Sequence, residues 1–308
     1  MLDIQKNIPM APFTTFKIGG PARFFVEVKD QKELEQALGY ASENDLKTFI
    51  LGGGSNILVN DKGFDELIVR VIDNSCSLEG NYVRCGSGIQ LSRIVSLTAQ
   101  NGLTGLEWAA GIPGSVGGAI RGNAGAFGGS MSDIVEEVGV FNKNTLESET
   151  YNSKKCDFSY RNSLFKQKDN LIIISAVSKL AKGDREKIEA KIRENLQKRM
   201  EKQPQGASAG SFFENPTVSD KKLIADFEKD TDLKSKENKI PAGWLIAEVG
   251  LLGKRIGGAQ VSEEHGNFVI NTGDATVEDV IILVSLIKQQ VRSKLGVQLK
   301  EEVQYVGF

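Results

Sequence analysis

The sequence predicts an α+β protein of two or three domains, and three observations lead to this prediction. The chain has 308 residues, more than a single hydrophobic core usually supports. Short β-branched runs and amphipathic helical stripes both occur along it, but they do not keep up the regular βαβ alternation of a doubly wound parallel sheet. Two loops are dense in glycine, and in the region 105–129 large apolar residues such as Trp108 and Phe127 alternate with the glycines, which indicates an ordered, half-buried loop system.

Composition narrows the classes of partner. The 38 basic and 40 acidic residues nearly cancel, and no stripe of lysine or arginine is interleaved with aromatic residues, so nucleic acid is not an expected partner. No segment has the apolar h-region of a signal peptide or the roughly 18 apolar residues of a membrane span. We therefore expect no membrane association and a cytoplasmic location.

Cysteine and histidine usage excludes two kinds of site. Cys76, Cys85 and Cys156 are widely spaced and lack metal-ligand spacing, so we expect three reduced, buried thiols. His265 is the only histidine of the chain, which excludes a multi-histidine metal site. No metal is therefore expected.

Hydrophobic periodicity places the elements of the first half of the chain. Apolar residues recur on one helical face from Leu34 to Ala41, which predicts a helix running to about residue 43. Apolar residues at positions 91, 94 and 95 predict a second helix, which ends before Gly102, a candidate for a left-handed helix cap. The predicted strands of this half are 24–28, 48–51, 68–72, 82–85, 138–141 and 171–177.

The second half begins with a long predicted helix. Asp184 can cap this helix, apolar residues recur in it at every fourth position, and Pro204 prevents its continuation, so we place a domain boundary after it. The apolar stripe is Ile188, Ile192, Leu196 and Met200. Further helices are predicted around 223–227, from Pro241 to Gly250, and from Thr276 along the stripe Val277, Val280, Ile281, Val284, Ile287 and Val291; residues 230–239 are a predicted solvated loop and 297–305 a predicted strand.

The two glycine-dense loops are the main functional signal. The first glycine loop follows strand 48–51 and consists of Gly52, Gly53, Gly54, Ser55 and Asn56. The second glycine loop consists of Gly111, Ile112, Pro113, Gly114, Ser115, Val116, Gly117 and Gly118. Glycine can take positive φ and lets a ligand approach the main chain, and consecutive N–H groups then form a concave nest for an anion. We therefore expect these loops to hold a phosphate-bearing ligand.

Neither loop matches a standard nucleotide motif. Ile57 stands where the dinucleotide fingerprint requires its third glycine, and no Gly-Lys-Ser/Thr follows as in a P-loop. A glycine turn without a ligand is the alternative for either loop taken alone. The presence of two such loops in one chain favours a cofactor site.

Arg161 and Ser211 are candidate catalytic residues. Arg161 follows Tyr160 in a short polar segment, and a planar guanidinium matches a carboxylate through two parallel hydrogen bonds; its alternative is a surface ion pair. Ser211 follows Gly210 in a loop of small residues, where its hydroxyl could donate a proton into a confined site. No base lies near it in sequence, so a general acid fits better than a nucleophile, and an ordinary turn residue is the alternative.

Two further polar residues have open roles. Glu302 lies in the predicted strand 297–305, on the opposite face from Val303 and Tyr305, and its alternative is a solvated edge carboxylate. His265 could be a polar loop residue, a phosphate contact or a packed ring. The sequence does not choose among these three.

Taken together, these segments resemble the UDP-N-acetylenolpyruvoylglucosamine reductase family, flavoenzymes of bacterial cell-wall precursor synthesis. The resemblance covers nearly the whole chain, and the order of the motifs makes it specific. The motifs are 15–22, 51–58, 105–107 with 111–118, 123–128, 158–161, 209–211 with Asn215-Pro216, 242–246, and Glu302-Val303.

The resemblance implies an architecture and a cofactor. Such enzymes have an FAD-binding portion of the vanillyl-alcohol-oxidase type, built from two subdomains, and a smaller α+β substrate-binding domain. Carried onto this chain, residues 1–71 with 298–308 form the first FAD-binding subdomain, 72–202 the second, and 203–297 the substrate-binding domain. The two glycine loops, with Asn123 and Gly125, are implied to bind FAD.

The resemblance also implies a reaction. Family members use NADPH to reduce UDP-N-acetylglucosamine enolpyruvate to UDP-N-acetylmuramate. Ser211 aligns with the proton donor, and Arg161 and Glu302 align with residues that bind the substrate carboxylate and stabilise the enol-like intermediate. Tyr160, Gly210 and Asn215 are implied to bind substrate as well. Because like charges at short range oppose joint ionisation, we expect Glu302 to be protonated during the step, or to orient Arg161 or a water.

Two departures from the family pattern and two rival functions complete the prediction. Glu214 stands where the family has a basic residue, so a diphosphate contact is expected from elsewhere, with Lys254 and Arg255 as candidates. The segment from Tyr160 to Ser211 lacks a tyrosine-bearing insertion, as in the shorter subclass.

Two alternative functions remain open from the sequence. They are a sugar or alcohol oxidase on the same flavin scaffold and a non-catalytic nucleotide-binding module. We expect a monomer.

Overall fold

The computed structural model describes residues 2–308 and divides them into two compact units. The first unit contains the residues up to Ile8, Ala22–Gly54 and Asp65–Arg199. The second unit contains Pro9–Pro21, Ser55–Phe64 and Met200–Phe308. Both units mix helices with mainly antiparallel strands, which confirms the predicted α+β class.

The helices of the described residues have the following bounds. The α-helices are α1 (Gln31–Glu43), α2 (Leu91–Gln100), α3 (Val116–Arg121), α4 (Leu164–Gln167), α5 (Arg185–Lys202), α6 (Lys221–Thr231), α7 (Ala242–Glu248) and α8 (Val277–Leu295). Short 3-10 helices cover Ala11–Phe13, Glu107–Ala109, Met131–Asp133 and Lys236–Asn238.

The strands are short apart from a few in the first unit. They are β1 (Gln5–Pro9), β2 (Pro21–Val28), β3 (Thr48–Leu51), β4 (Ile57–Val59), β5 (Phe64–Val71), β6 (Cys76–Glu79), β7 (Tyr82–Gly86), β8 (Leu103–Thr104), β9 (Gly125–Ala126), β10 (Gly129–Ser130), β11 (Val135–Asn142), β12 (Glu147–Asn152), β13 (Leu171–Lys179), β14 (Ala181–Lys182), β15 (Ala207–Ser211), β16 (Arg255–Ile256), β17 (Ala259–Val261), β18 (Phe268–Asn271) and β19 (Gln304–Val306).

Two sheets and two apolar clusters build the first unit. One sheet has the strand order β1-β2-β5-β3, with β3 and β5 parallel, and the other has the order β12-β11-β13-β7-β6 with antiparallel pairs. Helix α1 buries its predicted apolar face against the first sheet, in a cluster that also contains Phe141 and Ile172 of the second sheet. Helices α2 and α3 pack in the other cluster, around the loops that carry the site.

The second unit is built on an antiparallel sheet and one long helix. The sheet has the order β15-β18-β17-β16, and β19 pairs in parallel with β4. Helix α8 carries a complete capping box, in which Thr276 and Asp279 satisfy each other's backbone amides, and it ends at Gly296 with a φ of 67°. Its buried face joins a single apolar cluster with α6, α7 and Phe212.

Local signals predicted most helix bounds correctly. Asp30 caps α1 by accepting a hydrogen bond from the Glu33 amide at 2.8 Å. Gly102 follows α2 with a φ of 65°, and Gly250 follows α7 with a φ of 77°, as their predicted capping roles require. Asp184 accepts from the amide of Lys187 at the start of α5.

Four predicted patterns are wrong in part. The stripe on α5 holds at Ile188, which is buried, and at Ile192, which packs against the apolar cluster, but Met200 is 74% exposed, because a four-residue spacing drifts by about 40° per step around a helix. On α8 five of the six predicted stripe residues are buried, but Ile281 is 36% exposed and Leu283 is buried in its stead. The predicted strand 297–305 is reduced to Gln304–Val306, because only those residues find a partner strand. The stretch 230–239 contains the end of α6 and a 3-10 helix.

The thiols are free, and one of them is less buried than predicted. Cys85 and Cys156 are buried, and burial raises their pKa to about 12 and about 11. Cys76 is only half-buried, because it lies on β6 at the edge of its sheet.

The predicted domain boundaries concern a different property from the compact units. The compact units are defined by contacts within the chain, whereas the predicted domains are defined by the ligand that each would bind. The division at 71, 202 and 297 therefore stays a prediction.

Candidate active site

The two glycine loops meet in the first unit. A Cβ atom on Gly53 would lie 2.5 Å from Cα of Gly114, and one on Gly52 would overlap Oγ of Ser115. Cβ atoms do not approach other atoms this closely, so both positions require glycine. The structure therefore brings together the two loops that the sequence predicts to share one ligand.

The second glycine loop leads into α3. The Ser115 hydroxyl caps this helix by accepting a hydrogen bond from the Gly118 amide at 3.3 Å, and the Gly117 amide donates to the Ser87 carbonyl at 2.8 Å. Gly111 and Gly114, with φ values of 77° and 115°, turn the chain before the cap. The amides of Gly117 and Gly118 are thus engaged within the fold, where these glycines allow close packing.

Two side chains on α5 hold the segment before this loop, and neither is among the residues predicted from sequence. Arg199 donates from Nε to the Ala110 carbonyl at 2.7 Å and from Nη2 to the Trp108 carbonyl at 3.2 Å. Asn195, 1% exposed, donates from Nδ2 to the Glu107 carbonyl at 2.8 Å. Their spacing of four residues on an otherwise charged helix was the available signal, because it places both on one face.

The charge around the second glycine loop fits a diphosphate. Arg121 follows the loop on α3, Arg199 binds the carbonyl next to Gly111, and burial lowers the pKa of both guanidinium groups. Neither forms an ion pair with a carboxylate within residues 2–308. Uncompensated positive charge beside glycine-lined backbone favours an anion, so the residues present fit the diphosphate of FAD.

Tyr160 and Arg161 form the tip of a tight turn in the first unit. Ser159 and Asn162 exchange two backbone hydrogen bonds, at 3.0 and 3.1 Å, and Arg161 has a φ of 55°. The Arg161 guanidinium carbon lies 5.4 Å from the centroid of the Tyr160 ring, which is 40% exposed. The turn therefore presents a cation and a phenol side by side.

Asn123 anchors this turn to the end of the second glycine loop region. Its Nδ2 donates to the Ser159 carbonyl at 2.9 Å, and its Oδ1 accepts from the Ser132 amide at 3.0 Å. The Ser163 hydroxyl adds a hydrogen bond to the Arg121 carbonyl at 2.7 Å. Asn123 thus links two predicted parts of the site, and its direct contact with FAD stays a prediction, as does that of Gly125.

Ser211 and Glu302 lie on neighbouring segments of the second unit. The Glu302 amide donates to the Phe212 carbonyl at 2.8 Å, and Phe213 forms an isolated antiparallel bridge with Glu301. Glu302 lies outside β19, so the predicted alternation with Val303 and Tyr305 does not apply. Backbone pairing, which is a long-range contact, brings these two predicted catalytic residues together.

Asn56 of the first glycine loop belongs to the second unit and contacts the Glu302 segment. Its Nδ2 donates to the Glu302 carbonyl at 3.2 Å, and its carbonyl accepts from the Gln304 amide at 3.0 Å. The contact of Asn56 with FAD stays a prediction, whereas its contact with the Glu302 segment is direct.

The polar residues after Ser211 are used within the fold. Asn215 accepts from the Ala242 amide through Oδ1 at 3.0 Å, at the start of α7. Glu214 forms an ion pair with Lys300, with 3.3 Å between Oε2 and Nζ. The Arg255 guanidinium donates to the Gly257 carbonyl at 2.7 Å in its own hairpin.

His265 is a packed ring, which decides among its three alternatives. Its Nδ1 accepts a hydrogen bond from the Asn267 amide at 3.1 Å, and the ring meets Phe268 edge-on at 4.9 Å between centroids. A Cβ atom on Gly243 would lie 2.8 Å from Cε1 of the ring. Desolvation by this packing lowers the pKa of His265.

We expect His265→Asn to remove a pH dependence of stability. The folded state disfavours the imidazolium, so the unfolded chain binds more protons; wild-type stability is full above the unfolded pKa of about 6.5 and falls as the pH drops below it. One proton limits the slope to about 1.4 kcal/mol per pH unit. Urea unfolding of both proteins at about pH 7.5 and about pH 5.5 measures the effect. An unchanged difference between them at the two pH values would contradict the expectation.

The predicted catalytic residues are divided between the units. Arg161 belongs to the first unit, and Ser211 and Glu302 belong to the second.

Among residues 2–308, no group of three or more His, Cys, Asp or Glu side chains is placed to hold a metal. None of the helices described is both long and apolar enough to cross a membrane.

Comparison with known proteins identifies related chains. The profile of the C-terminal domain of UDP-N-acetylenolpyruvoylglucosamine reductase matches residues 200–306, and that of an FAD binding domain matches residues 22–145. A UDP-N-acetylenolpyruvoylglucosamine reductase from Solibacter usitatus is 35% identical over 308 residues, covering 99% of this chain and 97% of the relative. A reductase of the same name from Bacillus anthracis is 38% identical over 315 residues, covering 99% and 97%.

A solved structure extends the similarity to the fold. The crystal structure of the UDP-N-acetylenolpyruvylglucosamine reductase from Thermus caldophilus superposes with a TM-score of 0.80. The two chains are 31% identical, and the match covers 99% of this chain and 100% of the other. The similarity therefore includes both compact units.

Proposed function

We infer from one premise, that this chain belongs to the UDP-N-acetylenolpyruvoylglucosamine reductase family, that Arg161, Ser211 and Glu302 carry its chemistry. The chain is an NADPH-dependent flavin oxidoreductase of peptidoglycan synthesis, which reduces UDP-N-acetylglucosamine enolpyruvate to UDP-N-acetylmuramate. Its cofactor is FAD. When bound, FAD would supply the redox chemistry, which is the transfer of a hydride from NADPH to the vinyl group.

Arg161 is proposed to bind the substrate carboxylate. Negative charge builds up on that carboxylate as the vinyl group is reduced, and a guanidinium held in place stabilises it better than mobile water does. The tight turn supports this role, because two backbone hydrogen bonds and the Asn123 side chain limit the freedom of Arg161. Tyr160 is proposed to contact the same substrate.

Ser211 is proposed to deliver the proton that completes the reaction. The carbon beside the carboxylate becomes a carbanion and must be protonated, and a hydroxyl at a fixed position can donate the proton. Glu302 is proposed to act as a neutral acid in this step, or to orient Arg161 or a water, because two carboxylates at short range would not both ionise. The observation that carries the proposal is the backbone pairing of the Ser211 and Glu302 segments.

The remaining site residues are proposed ligands. Residues 52–56 and 111–118, with Asn123 and Gly125, are assigned to FAD, and Gly210 and Asn215 are assigned to the substrate. Residues 203–297 would then form the substrate-binding domain, and residues 1–71 with 298–308 and 72–202 the two FAD-binding subdomains. We propose a monomer that works in the cytoplasm, where NADPH and nucleotide sugars are available.

Anaerobic stopped-flow spectroscopy tests the function. NADPH is expected to bleach the flavin absorbance, and UDP-N-acetylglucosamine enolpyruvate is expected to restore it with formation of UDP-N-acetylmuramate, detected by mass spectrometry. A sugar or alcohol oxidase would instead be reoxidised by oxygen and ignore the UDP-sugar. A nucleotide-binding module would bind FAD, but its flavin absorbance would neither be bleached by NADPH nor be restored by the substrate. Either of these two results would contradict the proposal.

A further inference from the structure

The two residues after Ser211 are held by one asparagine side chain. Asn267, 3% exposed, accepts from the Phe213 amide through Oδ1 and donates to the Phe213 carbonyl through Nδ2, both at 2.8 Å. Its own carbonyl accepts from the Phe212 amide at 2.7 Å. A single residue thus makes three hydrogen bonds to the backbone that leaves Ser211.

A bulge explains why strand pairing alone does not hold this backbone. In the pairing of β15 with β18, Ser208 lies opposite Ile270 and Ser211 lies opposite Phe268, so β15 has one extra residue between these pairs. Gly210, inside the bulge, has a φ of 76°. A bulge redirects the side chains that follow it, here that of Ser211, and interrupts the ladder. The Asn267 amide group then replaces a peptide group as the partner of Phe213.

A second contact holds Phe212 from the other side. The Phe212 carbonyl accepts from the Glu302 amide at 2.8 Å, so all four polar backbone groups of Phe212 and Phe213 are bonded. Phe213 is 1% exposed, and water cannot replace a lost partner there without opening the fold. The position of Ser211 relative to Glu302 therefore depends on Asn267.

His265 supports Asn267 in turn. The Nδ1 atom that accepts the Asn267 amide must be unprotonated, and the ring is kept in place by Phe268 and by Gly243. The polar contacts thus run from the His265 ring through Asn267 to Phe213, two residues from the serine hydroxyl.

We propose that Asn267 is a positioning residue for proton delivery, which orients Ser211 by holding the Phe212 and Phe213 backbone through its side-chain amide. The proposal rests on the proposed role of Ser211 as the proton donor. It assigns Asn267 no contact with substrate or cofactor, and its effect is confined to the half-reaction in which the substrate is protonated.

The test separates the two half-reactions in Asn267→Ala. Flavin reduction by NADPH, the visible flavin spectrum and FAD affinity are expected to stay at wild-type values, because none of them uses the Ser211 hydroxyl. Reoxidation by UDP-N-acetylglucosamine enolpyruvate is expected to slow by about 10- to 100-fold, since small displacements of a reacting group have effects of this size. Asn271→Ala is the matched control, because Asn271 also binds backbone amides from β18 but at Gly273 and Ala275.

Asn267→Asp adds a readout that a purely structural role would not move. Aspartate keeps the acceptor for the Phe213 amide, but its ionised form has no donor for the Phe213 carbonyl. The protonated acid restores that donor, so the reoxidation rate of this variant is expected to rise as the pH falls, relative to wild type. If Asn267→Ala does not fold, the pH dependence of Asn267→Asp still tests whether Asn267 positions Ser211.

The outcomes are distinguishable from a failure of the proposed function. Wild-type reoxidation by Ser211→Ala would overturn the role of Ser211 and the inference with it. Slow reoxidation of Ser211→Ala combined with reoxidation of Asn267→Ala at the wild-type rate would overturn the inference about Asn267 but not the role of Ser211. Asn267→Ala could instead lose rate equally in both half-reactions and lose FAD, while the reoxidation rate of Asn267→Asp does not rise as the pH falls. Asn267 would then have only a structural role, and the inference would also be overturned.

Discussion

Ser211→Ala is expected to keep flavin reduction by NADPH and to slow reoxidation by the enolpyruvyl substrate by about 10²- to 10⁴-fold, the usual contribution of a positioned general acid. The substitution removes the proton and leaves the backbone bonds of Phe212 and Phe213 in place. The hydride half of the reaction does not need the hydroxyl. Stopped-flow traces of both half-reactions at equal substrate concentration measure the split.

Ser208→Ala is the control for this prediction. Ser208 lies on the same strand, and its hydroxyl only accepts a weak hydrogen bond from the Gly210 amide at 3.4 Å. We expect this variant to turn over close to the wild-type rate. Reoxidation of Ser211→Ala at a near-normal rate would remove the serine from the role of acid and leave the source of the proton to solvent.

Gly53→Ala is expected to weaken FAD binding by about 10- to 100-fold, which corresponds to the 1–3 kcal/mol that overpacking costs in a close-packed region. The added Cβ would lie 2.5 Å from Cα of Gly114, a backbone atom that cannot rotate away. The two glycine loops would have to separate, and their proposed common ligand would lose one wall of its site. Titration with FAD, followed by flavin fluorescence, measures the change.

Gly39→Ala serves as the matched control for the glycine substitution. Gly39 lies exposed within α1, and a Cβ atom there would have no neighbour within 4 Å. Alanine is favoured in helices, so this variant should bind FAD normally and be neutral or more stable by about 0.5 kcal/mol. If Gly53→Ala retained FAD as well as Gly39→Ala does, the contact between the loops would have no part in cofactor binding.

Helix ends were predictable because their causes are local. Asp184, Gly102 and Gly250 act within one turn of the helix they bound, and such a turn is visible in any short window of sequence. The α5 stripe shows the limit of this approach. Ile188 and Ile192 of the predicted stripe pack in the first unit, but Met200 is exposed, and the polar contacts of α5 are made by Asn195 and Arg199.

Short strands were mostly missed for the opposite reason. Strands β15 to β18 have two to five residues each, and their existence depends on partners that are distant along the chain. The predicted strand 297–305 alternated as a strand should, but only its last residues find a partner in β4. Alternation reports a preference for extended backbone, and pairing decides whether a strand forms.

The amino-acid sequence alone determined the α+β class, the two glycine loops and the candidates Arg161, Ser211 and Glu302, because glycine density, capping residues and motif order are properties of the chain itself. The tertiary structure decided that the glycine loops touch and that Ser211 and Glu302 lie on paired segments. It also decided that Asn267 binds the backbone of Phe213 and that His265 binds the Asn267 amide. Apart from the contact between His265 and Asn267, these contacts join residues 54 to 90 positions apart, and a hydrogen bond acts only at about 3 Å. No local pattern carries that information.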